Sequence, residues 1–165
     1  MLGYTNFPPH INNAWVTREN VNKLIEGNGF SGEIDLLSID MDGVDYWIWD
    51  AISCTSPRVV IVEYHNILGP DRSITVPYTP DFNRFDSHPD YLGASLKAFV
   101  KLGRKKGYRL IGVNKYEFNA FFIRNDIASD LFPEIEVSSC FAHAQSRDGM
   151  EKRYPDIKNF EWIEV

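Results

Sequence analysis

The chain has 165 residues, 44% of them hydrophobic and 14% aromatic, with a formal net charge of −6. That is enough apolar material for one domain over residues 1–165, and the acidic balance argues against nucleic acid as a partner, since phosphate binding needs clustered Lys and Arg. Two cysteines without metal-type spacing, no leader-like stretch and no apolar run of bilayer length predict a soluble cytoplasmic protein with free thiols and no membrane partner.

Met1 to Trp15, with Pro8 and Pro9, reads as an extended lead-in. Thr17 is placed to cap a helix over Arg18 to Glu26, with Val21, Leu24 and Ile25 on one face. The chain is organised around the next stretch, Ile34 to Ile52 (IDLLSIDMDGVDYWIWDAI). An apolar run ends on acids and a glycine, and an aromatic helical segment follows. That is the pattern of a buried parallel strand that delivers polar groups to the carboxyl edge of a sheet. Leu36, Leu37 and Ile39 are its core residues. Asp40 falls at the strand end, Asp42 and Gly43 in the turn, and Asp45 at the helix start, where it can cap backbone N–H groups. Trp47 and Trp49 cannot share a face of a short helix, so one packs on the sheet while the other meets something else.

Ser56, Pro57 and Arg58 read as a turn before a second strand, Val59 to Tyr64 (VVIVEY), which closes on Glu63, His65 and Asn66. Residues 66–89, with four prolines, form a long connection of the kind used for lids and binding loops. Asp90 is placed to cap a helix from Tyr91 to Lys106, ended by Gly107, with Arg104, Lys105 and Lys106 complementing its dipole. Tyr108 to Val113 and Phe118 to Ile123 read as two strands close enough to pair antiparallel. Asp126 to Phe132 reads as a short helix, and residues 133–165 as an irregular tail that docks through Phe141, Tyr154, Phe160 and Trp162.

Asp40, Asp42, Asp45, Glu63 and His65 form the strongest chemical constellation. Neighbouring strands lie about 4.8 Å apart, so Asp40 and Glu63 can converge at the carboxyl edge. Clustered acids need a cation, a donor or open water. Hard divalent metals such as Mg²⁺ or Mn²⁺ take carboxylate oxygen, and a His can join them. The plain alternative is acids solvated at a sheet edge. The run DMDGV also has the look of the first motif of haloacid-dehalogenase-like phosphatases, with Asp40 as nucleophile and Asp42 as acid/base, although no later Asp pair completes that metal site. His10 and His143 read as surface residues, and His88 as one that can reach the strand edge from the long loop.

The stretches IDLLSIDMDGVDYWIWDAI, PRVVIVEYH, GYRLIGV and NAFFIRND together resemble the FkbM-type methyltransferases. The resemblance runs from about Thr17 to Asp126. It implies S-adenosylmethionine as methyl donor and an α/β, three-layer, Rossmann-like partial sheet of two parallel strands plus an antiparallel C-terminal pair, flanked by helices. Asp40 matches the family's strand-end aspartate, Asp42 and Asp45 stand where it has Glu or Asp, and Glu63 matches its fifth-strand glutamate. Ser38 replaces a family lysine. The Gly-rich cofactor turn and the ribose-binding acid of such enzymes would lie upstream, so the chain reads as the carboxyl-terminal half of such a sheet. The resemblance thus gives Asp40, Asp42 and Glu63 as the polar, metal-capable edge of a small-molecule acceptor site, and the constellation adds His65 to them as a catalytic candidate. A second reading is a non-catalytic assembly module, a homo-oligomer whose open sheet edge is covered by another copy.

Overall fold

The computed structural model describes residues 9–165. The expected lead-in falls partly outside the described residues, and 9–15 carry no regular element. Helix α1 (Val21–Gly27) starts later than Thr17 suggests. Thr17 closes a turn first: its carbonyl accepts from Val21 N at 3.0 Å and its N–H donates to Asn20 Oδ1 at 2.8 Å.

Strand β1 (Gly32–Ile39), helix α2 (Asp45–Ala51) and strand β2 (Thr55–Glu63) follow as one unit, with β1 and β2 parallel. The turn expected at Ser56–Arg58 is instead the start of β2. Pairing with β1 already begins at Gly32↔Thr55, whereas the later strand Asn119–Arg124 joins β2 only from Val59, so Pro57 lies where β2 has a single neighbour.

The long connection is less structureless than expected. It carries a 3₁₀ turn at Asn66–Leu68 and a two-residue strand β3 (Ile74–Thr75). Tyr91 does not open a helix, because this stretch runs extended against the loop: Val76 N donates to Gly93 O at 3.1 Å and Ser95 N to Ile74 O at 2.9 Å. Ser95, not Asp90, therefore caps helix α3 (Leu96–Lys106), its hydroxyl accepting from Ala98 N at 3.2 Å. Gly107 ends the helix at φ 86°, a left-handed conformation that costs a glycine little.

Strands β4 (Tyr108–Val113) and β5 (Asn119–Arg124) pair antiparallel as expected, and the four-stranded sheet runs β1-β2-β5-β4. The helix expected over Asp126–Phe132 is a turn. It wraps the buried Arg109 guanidinium, which donates to the carbonyls of Phe132, Arg124 and Ile127 at 2.8, 3.0 and 2.7 Å. Those carbonyls point inward to a cation, and a helix would have spent the inner ones on its own N–H groups.

The tail is not irregular either. It forms a 3₁₀ turn at Val137–Cys140, helices α4 (Ala144–Lys152) and α5 (Tyr154–Ile157), and a strand β6 (Ile163–Glu164) that pairs with β3. Aromatic anchors do hold it. Phe141 packs edge-on to Tyr64, while Phe160 stacks on Tyr91 at 4.8 Å and Trp162 meets Tyr91 edge-on at 5.0 Å. Cys54 and Cys140 are both free thiols. No helix among the described residues is long and apolar enough to cross a membrane.

The two faces of the sheet differ. Leu37, Ile39, Val60, Val62, Leu110, Ala120 and Phe122 form the core face. Trp49 lies against it, 2% exposed, with ring centroids 5.1 Å from Phe122 and 5.9 Å from Tyr108. Ile34, Leu36, Val59, Ile61 and Phe121 alternate with these along the strands, and none of the five packs against either core cluster. Leu36, expected in the core, is 53% exposed, because β1 is an edge strand and no other described element covers its second face. The α/β architecture is as expected, but the described residues form two layers, not three.

Candidate functional site

The carboxyl edge of β1 and β2 opens on a cleft of about 170 Å³. Asp45, Glu63 and His65 all line it, so three of the five expected site residues meet there. Asp40 is exposed beside it, and Asp42 is turned away to the long loop.

The turn after β1 is built by Asp45. Its carboxylate accepts from Met41 N at 2.8 Å and Gly43 N at 3.0 Å, both before the helix begins. Asp45 thus closes the turn rather than capping α2, whose N-cap position is Val44. It is 1% exposed, and burial pushes its pKa up to about 6 against the pull of those N–H bonds. Gly43 has no room for a side chain: a Cβ there would stand 2.1 Å from the Phe82 ring. Close approach is what brings the long loop over the turn, and there Arg84 forms an ion pair with Asp42.

Glu63 ends β2, half-buried. Burial, then the charges of Asp40, Asp45 and Asp42, push its pKa up to about 7, and Arg84 offsets only part of this. His65 follows. Its backbone N–H donates to Ala94 O and its Nε2 lies 2.8 Å from the Asp90 carbonyl. Burial holds its pKa down at about 4, with Arg153 and Arg84 adding to the effect. The ring is therefore neutral at pH 7, Nε2–H donates to the carbonyl, and Nδ1 keeps a lone pair.

Sequence reasoning missed the groups that frame these residues. Arg84 and Arg153 both line the cleft. Asp90, expected as a helix cap, holds Arg153 in a two-pronged ion pair, which lowers the Asp90 pKa. Asn66 donates to Ser146 Oγ at 3.2 Å and ties the cleft to α4. Asn66 already stood beside Glu63 in the sequence, but Arg153 lay in a tail with no signal of where it would fold. His88 does not reach the cleft, since its ring lies 6.1 Å from that of Phe160. His143 caps α4, with Nδ1 accepting from Gln145 N at 3.2 Å, and is half-buried rather than free at the surface.

These side chains do not fit a metal as they stand. Asp45 spends its oxygens on two N–H groups, Asp42 is paired with Arg84, and His65 turns Nε2 to a carbonyl. Among the described residues no group of three or more His, Cys, Asp or Glu side chains is arranged to hold a metal ion. The cleft is also small beside the roughly 300–1,000 Å³ of sites that enclose drug-sized ligands, so it does not fit a whole nucleoside cofactor. What the arrangement can do is move a proton. Glu63 changes charge near neutral pH in a site that it shares with a neutral imidazole and two guanidinium groups.

No family model matches the chain, and neither a curated protein nor a solved structure matches it significantly.

Proposed function

We propose that the chain is a methyltransferase-like protein of the FkbM type with a Rossmann-like partial sheet, and that the cleft is the acceptor side of its site. The observation that carries this reading is Glu63 at the carboxyl edge of β2, with a pKa of about 7. Transfer of a methyl group to a hydroxyl releases a proton, and a base that titrates near the working pH takes it most effectively. Glu63 is that base, and His65 Nδ1 is a second acceptor beside it. Asp45 holds the turn that shapes the cleft, and Asp42 with Arg84 fixes the long loop at its mouth. S-adenosylmethionine would supply the methyl group, and its place on the protein rests on the resemblance of the strand motifs alone.

A thermal melt tests this. A ligand that binds only the native state raises Tm by mass action. S-adenosylmethionine or S-adenosylhomocysteine at millimolar concentration is expected to raise Tm by several degrees, whereas no rise removes the cofactor reading. Parallel melts with Mg²⁺ and Mn²⁺ are expected to give no shift, and a rise with metal alone returns the carboxylates to a ligand role.

The uncovered sheet face favours a second reading, an assembly module. Ile34, Leu36, Val59, Ile61 and Phe121 form an uncharged apolar strip on a chain of net charge −6, and a second copy covering it would remove that strip from water. Light scattering that finds a strict monomer at high concentration discards it.

A further inference from the structure

We propose that the cleft binds a single hydroxyl-rich ring, a sugar unit, with Glu63 and Arg84 as its polar contacts and Phe118 as its stacking platform. This rests on reading the cleft as the acceptor side of the site, and it names the class of acceptor.

The argument starts from which polar groups are left free. Arg153 is held by Asp90, and Arg84 pairs with Asp42 through Nη1, one of its two terminal nitrogens. Each guanidinium charge is thus already met by a carboxylate, and among the described residues lining the cleft no cation is left without an acid partner. The Asp45 oxygens are occupied by backbone N–H groups, so no ready ligand set is left for a metal. What remains is a mixture of donors and acceptors. Arg84 Nε is buried and has no hydrogen-bond partner among the described residues. Arg84 also lines the cleft, where its outer guanidinium N–H groups can donate to a ligand oxygen. His65 Nδ1 is an acceptor. The Glu63 carboxyl and the Gln145 amide at the rim can each give and take hydrogen bonds. A hydroxyl donates and accepts at a single atom, and several neighbouring hydroxyls satisfy such a set without bringing charge.

The walls agree. Phe118 lines the cleft with 39% of its surface exposed, and its ring lies nearly parallel to Tyr116 at 6.5 Å, with the planes 9° apart. An exposed aromatic face beside polar groups suits the C–H face of a sugar ring. A volume of about 170 Å³ suits one ring, not a chain of them. A free monosaccharide and the terminal unit of a larger glycan offer the same chemistry.

Saturation-transfer NMR on the full chain, without cofactor, tests the proposal and is independent of methyl transfer. The probes are a panel of methyl glycosides at tens of millimolar, a matching disaccharide panel, and inorganic phosphate followed through backbone amide shifts. At least one glycoside is expected to receive saturation, and Phe118→Ala and Glu63→Ala are each expected to weaken it about five- to tenfold. Leu131→Ala, on a side chain 76% exposed and outside the cleft, is the unchanged control. Phe118→Ala truncates a rim side chain, so it keeps the test valid even where Glu63→Ala perturbs folding. Binding by monosaccharides assigns a free sugar, and binding by disaccharides alone assigns a glycan end. No saturation from any sugar, binding untouched by both variants, or tighter binding of phosphate than of any sugar overturns the proposal. A chain that binds sugar but gives no Tm shift with S-adenosylmethionine keeps this site and loses the methyltransferase reading.

Discussion

Arg84 reaches across 42 positions of sequence to the carboxylate of Asp42 and pins the long loop to the turn after β1. Both residues also act on Glu63, in opposite directions: Asp42 raises its pKa and Arg84 lowers it.

That opposition makes a charge prediction. Asp42 sits at φ 54°, which Asn tolerates at least as well as Asp, so Asp42→Asn changes charge with little change of backbone. The Glu63 titration is expected to move down by about half a unit in Asp42→Asn and up by a similar amount in Arg84→Gln, the scale of a screened charge a few ångströms away. Carboxyl carbon NMR of Glu63 against pH reads both. Shifts of the same sign in the two variants would show that the loop, not the charge, controls Glu63.

Asp45 is expected to be worth more to the fold than any other acid at the site. Asp45→Ala leaves Met41 N and Gly43 N without their acceptor in a buried turn, at about 1–3 kcal/mol for each. Removal of a buried charge returns part of this, so the net loss is expected to be about 2–3 kcal/mol. Urea unfolding at pH 7 gives the number, and a loss below about 0.5 kcal/mol would mean that the turn holds its shape without the carboxylate.

The two tryptophans of α2 separate packing from hydrogen bonding. Trp49 is 2% exposed among Phe99, Tyr108 and Phe122, and Trp49→Ala is expected to cost about 3–5 kcal/mol. Trp47 is half-buried and donates Nε1–H to Val76 O at 2.8 Å, so Trp47→Phe is expected to cost about 1 kcal/mol and to loosen the loop it ties down. Chemical denaturation ranks the pair, and hydrogen exchange at residues 76–85 shows whether the loop follows Trp47.

The strand–turn–helix around Asp40 to Asp45 was legible because periodicity and composition change within a few residues. The antiparallel pair β4–β5 was legible for the same reason. The edge position of β1 was not. Leu36 and Leu37 look alike in sequence, and only the strand order decides that one faces the core and the other faces an uncovered side. Asp90 and Ser95 are equally good caps on paper, and long-range hydrogen bonds from Ile74 and Val76 settle which one starts α3. The turn over 126–132 depends on Arg109, nearly twenty residues away, and the frame of the cleft depends on Arg153, some ninety residues from Glu63. Local pattern gives the acids of the site, and tertiary contacts give the groups that set their charge.

Glu63 also ties stability to pH. Its folded pKa of about 7 lies above an unfolded value of about 4.3, so the native chain holds the proton more tightly. Its contribution is fully present below about pH 4.3 and is lost as pH rises through about 7. Asp45, raised to about 6, acts in the same direction. His65, depressed to about 4, acts in the opposite one: its contribution is present above about pH 6.5 and is lost as pH falls through about 4. Glu63→Gln keeps the shape and removes one of these titrating groups. The variant is expected to match the parent near pH 4 and to exceed it by about 1–2 kcal/mol at pH 8, after allowance for the water that still reaches a half-buried group. The gap should open between pH 4.5 and 7 and then stay constant. Urea midpoints measured every half unit of pH test this, and a gap that does not change with pH would place the Glu63 pKa near that of an ordinary carboxylate and remove it as the proton acceptor.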